Sequence, residues 1–249
     1  MRRGLDLFCK AGGASKGYHD AGFAMVGVDF EPQPRYPYCF VQMGAGRVLR
    51  ILMTGGYIEC QHGHHYRLSD LDFIHAAPPC QGYSRLRHLP WLKDKRWPLL
   101  IPAVRQRLQA AGLPYVIENV EDAPLVGFTL CGTMFGLPLY RHRKFETNWF
   151  ALVPAHPRHE VVIGHGRMLN DRRKGTLNAG SNKGAWGNQT IVTVAGGQFR
   201  KADGERAMGI DWMLKPELAQ ASPPAMTRYI GMHLLTAVAP EPEKGMLFS

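Results

Sequence analysis

The sequence predicts an α/β protein built on a mostly parallel sheet. Three observations lead there. Apolar strand candidates alternate with helix candidates through residues 1 to about 150, the signature of βαβ units. Several strand candidates end on a glycine turn, an acid or a proline pair. With 45% hydrophobic and 20% charged residues in 249, the chain can bury a substantial core in one large domain.

Leu5-Asp6-Leu7-Phe8-Cys9 reads as a buried strand. A turn carrying Gly12 and Gly13 leads into a short amphipathic helix that Gly22 stops. Phe23 to Val28 reads as a second strand, ending at Asp29. Val48, Leu49, Ile51 and Leu52 fit a helix closed by Gly55-Gly56. Asp72 to Ala77 is a strand running into Pro78-Pro79. Pro98 can start a helix with Ile101, Val104 and Leu108 on one face and Gly112 at its end. Tyr115-Val116-Ile117 is a strand ending at Glu118, and Phe145-Glu146-Thr147 is another, preceded by basic residues. Thr190 to Val194 has strand character. Near the end Ser222 precedes Pro223-Pro224, an N-cap with prolines in the first turn, and Met226, Tyr229, Ile230, His233 and Leu234 share one helical face.

Residues 149–188 differ in kind. They are rich in Gly, Asn, His and Arg and weak in periodicity, and divide the chain into a main domain (1–148 and 189–249) and a small basic insert. Arg158, Arg167, Arg172, Arg173 and Lys174 face few acids there. The segment reads either as a solvated loop or as a grip for a polyanion. The formal charge of +10 favours the second. No apolar run approaches a membrane span, and no secretory h-region is found, so a cytoplasmic protein is expected. Five scattered cysteines without C-x-x-C argue for reduced thiols. Cys9, Cys39 and Cys131 read as small buried hydrophobes. The crowded run Cys60-Gln61-His62-Gly63-His64-His65 matches no structural zinc pattern, and no metal is expected.

In an open parallel sheet, ligands sit at the carboxyl ends of the strands. Those ends here carry the Phe8 to Gly13 turn, Asp29, Cys80 and Glu118. The prolines stiffen the loop around Cys80 and bring a thiol to the sheet edge, which suits a nucleophile. Glu118 after an apolar strand should hold its proton unusually tightly, as suits an acid that donates to a ring nitrogen. An arginine of the run Arg141-His142-Arg143-Lys144 could hold a carbonyl.

Taken together, Asp6-Leu7-Phe8-x-x-x-Gly12-Gly13, Asp29, Pro79-Cys80-Gln81, Glu118-Asn119-Val120, Arg141-x-Arg143, Gly204 to Met208 and the Pro223-Pro224 helix resemble the cytosine-C5 DNA methyltransferase family, its small phage-type members above all. The resemblance covers nearly the whole chain. It implies a Rossmann-like S-adenosylmethionine-dependent fold, with a seven-stranded, mostly parallel sheet, helices on both faces and the C-terminal helix beside the first strand. Asp6, Phe8, Ala11, Gly12 and Gly13 would border the cofactor. Asp29 would hold its ribose, Phe30 would stack on adenine, Pro79 would touch the methionine end, and Gln220 would lie near the carboxylate. Cys80 would attack a flipped cytosine, Glu118 would protonate N3, and Arg143 would hold O2 with Arg141 and Asn119 in support. Gln81 and Ser84 would meet double-stranded DNA. A monomer is implied.

The chain departs from the family at Lys10 and Leu139, where glycine and glutamine are usual. It departs again at Gly44, the place of an adenine-binding aspartate, and at Gln220, the place of asparagine. An RNA-directed enzyme and an inactive binding relic are the alternatives. The insert is short for a target-recognition domain.

Overall fold

A computed structural model describes residues 1–88, 90, 92, 94–157, 191–196 and 199–237. Seven strands form the main sheet: β1 (Arg3–Leu7), β2 (Ala24–Asp29), β3 (Cys39–Gln42), β6 (Phe73–Ala76), β7 (Tyr115–Asn119), β8 (Phe128–Cys131) and β9 (His142–Thr147). Their order is β3-β2-β1-β6-β7-β9-β8. The first five are parallel, and β9 and β8 close one side antiparallel. A separate hairpin, β4 (Ile58–Glu59) with β5 (His65–Tyr66), sits near the other edge.

Strand residues alternate between two cores, as a period of two requires. Leu5, Leu7, Ile74, Ala76, Tyr115 and Ile117 face one side, packed with α2 (Ala45–Met53) and α3 (Ile101–Ala111). Phe73 and Val116 face the other, with α1 (Gly13–Asp20) and α6 (Pro224–Ala237). The C-terminal helix therefore does return beside the start of the chain. Thr227 Oγ1 donates to Ala14 O at 2.9 Å, and Gly17 lets the helices touch. A third core joins Leu139, Val192, Val194 and Phe199 to α4 (Lys201–Met208) and α5 (Lys215–Gln220).

Several boundaries move. The first strand stops at Leu7 rather than Cys9, because Phe8 takes φ +63°. The third helix starts at Ile101, not Pro98, with Pro102 in its first turn. Arg143 and Lys144 lie within β9 rather than before it. The strand expected over Thr190–Val194 reduces to one bridge, Leu139 to Val192. The C-terminal helix starts at Pro224, so Pro223 stands before it. Of the insert, residues 158–188, with Arg158, Arg167, Arg172, Arg173 and Lys174, lie outside the described residues.

A Cβ at position 17 would stand 2.1 Å from both Pro224 O and Thr227 Oγ1. Gly17→Ala should therefore destabilise the fold by about 1–3 kcal/mol, the usual range for overpacking. Urea denaturation, with Gly44→Ala in open space as control, checks it.

Candidate active site

The strand order reverses between β1 and β6, and a cleft of about 300 Å³ opens at that point. Asp6, Phe8, Ala11, Gly13, Asp29, Phe30, Pro79, Cys80, Gln81, Glu118, Asn119, Arg143 and Gln220 all line it. Nearly every candidate from the strand ends thus meets in one place. An adjoining, more apolar cavity of about 440 Å³ is shared with Gly44, Ala45, Leu49, Leu100 and Val104.

The turn from Phe8 to Gly13 forms the floor. Lys10 is also left-handed, at φ +46°, which a glycine would adopt without strain. Its N–H donates to Asp29 Oδ2 at 3.2 Å and its ammonium to Glu31 at 2.7 Å. Gly12 has φ +89° and packs under Tyr36, so it shapes the turn from behind. Gly13 starts α1, whose first turn has no side-chain cap. Ala11 is held by Trp212, whose indole N–H donates to its carbonyl at 2.9 Å.

Asp6 is fully buried beneath this turn. Ser15 donates to its Oδ2, and Tyr36 hydroxyl lies 2.7 Å from Ser15 Oγ. Oδ1 has no partner among the described residues. Burial raises its pKa to about 7, despite the Ser15 bond. Ser222, across the cleft, also leaves a buried Oγ unpartnered among the described residues. Asp29 accepts backbone N–H groups from Lys10 and Glu31, so it secures the turn as well as lining the cleft. Phe30 is 64% exposed, with the Lys10 ammonium 5.7 Å from its ring centroid.

Cys80 is half-buried on the proline loop. Asn119 Nδ2 donates to Pro78 O at 2.8 Å, Arg87 to Gly82 O at 2.6 Å, and Ile101 N–H to the buried Tyr83 hydroxyl at 3.1 Å. These bonds hold the loop from both ends. Burial pushes the Cys80 thiol up, while Arg143 and Arg141 oppose the shift. Glu118 is buried, and desolvation raises its pKa against the same two guanidinium groups. Arg143 Nε lies 2.7 Å from Glu118 Oε1. Arg141 does not line the cleft; it reaches back to the carbonyls of Val194 and Ala219 and ties the third core to the sheet. Gln81 is exposed, and Ser84 donates its N–H to Cys80 O at 2.9 Å.

The sequence reading missed the supports. Ser15 and Tyr36 orient Asp6, and Trp212 pins Ala11. Arg35 clasps Glu217 with two guanidinium nitrogens, 2.7–3.1 Å from the carboxylate oxygens. That pair crosses 182 residues of sequence, and no local pattern announces it. One cysteine departs from the reading as a buried hydrophobe, and another is buried as expected but has a histidine partner. Cys39 is only half-buried, among histidines and Tyr66. Cys131 is buried, yet its bond to His142 lowers its pKa to about 6 against desolvation.

No family model matches the chain. Over 145 residues, 57% of this chain, it is 30% identical to the Type II methyltransferase M.XorII of Xanthomonas oryzae pv. oryzae. The match spans 30% of that protein's length. A crystal structure of a candidate DNA modification methyltransferase encoded within an E. coli prophage superposes with TM-score 0.56 at 13% identity, covering 95% of this chain and 99% of that one. The S. pombe Dnmt2 methyltransferase gives 0.56 at 14% identity, covering 96% and 99%. The chain has the Rossmann-like methyltransferase fold. The resemblance carried by its motifs agrees with both the sequence match and the fold. Among the described residues no helix is long and apolar enough to cross a membrane.

Asp6 yields a pH prediction. Its folded pKa, about 7, stands above the ordinary 3.8, so the folded state holds the proton more tightly. Its stabilising effect is complete below about 4 and is lost as pH rises through about 7. Asp6→Asn cannot ionise. Thermal or urea unfolding from pH 4 to 8 should show a shallower decline in the variant than in the wild type.

Proposed function

We propose that the chain is a DNA cytosine-C5 methyltransferase using S-adenosylmethionine. The observation that carries this reading is the convergence of Cys80, Glu118 and Arg143 on one cleft with the Phe8 to Gly13 turn. The residues present fit the cofactor. The unpartnered Asp6 Oδ1 and Ser222 Oγ, the uncapped start of α1 and the exposed ring of Phe30 are the groups a nucleoside with an amino-acid tail can satisfy. Asp29 would take the ribose hydroxyls and Pro79 would border the methionine end. When bound, the cofactor supplies an electrophilic methyl group.

The chain's own residues do the rest. C5 of cytosine is a poor nucleophile. Cys80 thiolate adds to C6, and Glu118 gives its proton to N3, so C5 gains electron density. Burial raises the Glu118 pKa, which favours that donation. Arg143 stands beside Glu118 and would hold the base carbonyl O2. After transfer, water takes the C5 proton, the C5–H electron pair expels the Cys80 thiolate from C6, and N3 returns its proton to Glu118. Asn119 and Arg141 act as positioning residues, one through the proline loop, the other through the third core. A base stacked in a duplex cannot reach Cys80, so the target is flipped out. Gln81 and Ser84 would face the gap, and the basic residues of the insert would contact phosphates. A cytoplasmic monomer acting on double-stranded DNA completes the reading.

Transfer of a tritiated methyl group to duplex DNA, with tRNA in parallel, tests the substrate; label confined to RNA would overturn the DNA assignment. Duplex carrying 5-fluorocytosine should trap a covalent complex with wild type and none with Cys80→Ala. An adduct persisting in the variant would remove Cys80 from the role. Glu118→Gln should reduce turnover by ~10²–10⁴.

Gly44 offers a second test. It is the N-cap of α2, with φ −69° and open space at its Cβ, and it lines the apolar cavity. Nothing in its backbone demands glycine. Asp72, a carboxylate just before β6, accepts from Arg3 N–H at 2.6 Å. Gly44→Asp should tighten S-adenosylmethionine binding roughly ten- to a hundred-fold, as a charged hydrogen bond contributes about 1.5–3 kcal/mol. Calorimetry reads it, and the new N-cap should not weaken the fold.

A further inference from the structure

We infer that Cys39, Cys60, His62 and His64 form a zinc site that fastens the β4–β5 hairpin to the edge of the main sheet. The four side chains come from two places. Cys39 begins β3, the edge strand, and the other three lie in the hairpin turn. A ligand-type atom of Cys39, of Cys60 and of His62 all lie within 4.8 Å of one another. Cys39 Sγ is 3.6 Å from His62 Nδ1 and 3.7 Å from His64 Nδ1. A tetrahedral site with Zn–S about 2.3 Å and Zn–N about 2.0–2.1 Å sets sulfur and nitrogen donors about 3.6 Å apart. The observed spacings are those of ligands around a shared ion. Two exposed imidazoles converge on one sulfur, an arrangement a shared ion would hold together.

The surroundings fit thiolate ligands. Backbone N–H groups of His62 and His64 turn toward the Cys60 sulfur, and Tyr66 hydroxyl donates to Cys39 Sγ at 3.2 Å. Such donors compensate negative charge on sulfur. The turn is built for it, with Gly63 at φ +77° and its N–H on Cys60 O at 2.8 Å. Gln61 brings the two parts together independently. Its backbone N–H donates to Phe40 O at 3.0 Å and its side-chain amide to Tyr38 O at 3.1 Å, while Phe40 N–H donates to its Oε1. The frame is therefore in register before any ion binds. Cys39, Cys60 and His62 form the close group, and His64, with Nδ1 3.7 Å from Cys39 Sγ, is the fourth donor the proposal adds; two sulfurs and two imidazoles are the donor set of structural zinc. The sequence hid this site because Cys39 lies 21 residues before Cys60, outside any short spacing pattern. Cys131, His142 and His156 form another close group of three.

The zinc site would steady the segment after β3. The chain passes from Gln42 into Gly44 and α2, the wall of the apolar cavity. A clip at the far end of this strand limits fraying of the edge.

The test uses the full chain purified without chelator. Elemental analysis should find one zinc per chain. Cys39→Ser and Cys60→Ser should lose most of it, and Cys131→Ser should keep it. Replacement by Co²⁺ should give the visible bands and thiolate charge-transfer absorption of a tetrahedral site. His62→Ala and His64→Ala, at exposed positions where folding is not at risk, should shift or abolish those bands. Absence of both zinc and cobalt bands would overturn the proposal. So would zinc that follows Cys131 instead of Cys60, or a Cys39–Cys60 disulfide found by alkylation and peptide mass.

Discussion

The register of the parallel strands is the constraint on which the site depends. Leu7 pairs with Val28 on one side and Ala76 on the other, and Ala76 pairs with Ile117. Four strands therefore end at one level. The residues just beyond that level are Phe8, Asp29, Pro78 with Cys80, and Glu118. A slip of one residue in any pair would turn a site residue to the opposite face. The cores above and below, each built from alternate residues of the same strands, penalise such a slip. Reactive geometry and hydrophobic packing are thus set by one alignment.

That arrangement buries acids, which is costly unless something compensates. Asp6 and Glu118 solve the problem differently. Asp6 has a hydroxyl donor and a raised pKa, so it can be neutral near neutrality. Glu118 has Arg143 at 2.7 Å, with Arg141 behind. Burial still prevails over the two guanidinium groups in the direction of its shift. A carboxyl whose pKa burial raises and a cation held close beside it are what the proposed proton donation would need. The buried His75 shows the contrasting case. Desolvation alone lowers its pKa to about 3, with Tyr18 hydroxyl 3.0 Å from Nδ1, so it serves the core as a neutral ring.

The parallel core and the strand-end candidates were legible in the sequence because their signals are local. An apolar run followed by an acid, a glycine turn or a proline pair fits within a short window. Asp29, Cys80 and Glu118 were singled out that way, whereas Asp6, inside the first strand, entered only through the family resemblance. Supports joined across the fold were not. Arg35 with Glu217, Trp212 with Ala11, and Arg141 with Val194 and Ala219 depend on tertiary contacts that no window contains. Cys39 was misread for the same reason, because its histidine neighbours arrive from elsewhere in the chain; Cys131 is buried as expected. The segment over Thr190–Val194 has strand composition but finds only Leu139 as a bridging partner among the described residues, so packing into the third core replaced sheet extension.

The departures at Lys10, Leu139 and Gly44 bear on whether the chain is a decayed relic. Decay leaves strain unrelieved and polar groups unmatched. Lys10 does adopt a left-handed backbone, at a cost of about 1–2 kcal/mol for a residue with a Cβ. Yet its N–H secures Asp29 and its ammonium reaches Glu31 and lies over Phe30, so the strained residue organises three groups on the cleft rim. Leu139 is fully buried and seats the third core, whose other members hold Arg141 in place. Gly44 caps α2 with an ordinary backbone and leaves room beside the cavity. Each departure is absorbed by neighbours that also serve the cleft. Lys10 and Leu139 are thus accommodated by specific partners, Asp29, Glu31 and Phe30 for the one and the third core for the other, rather than left as unrelieved strain.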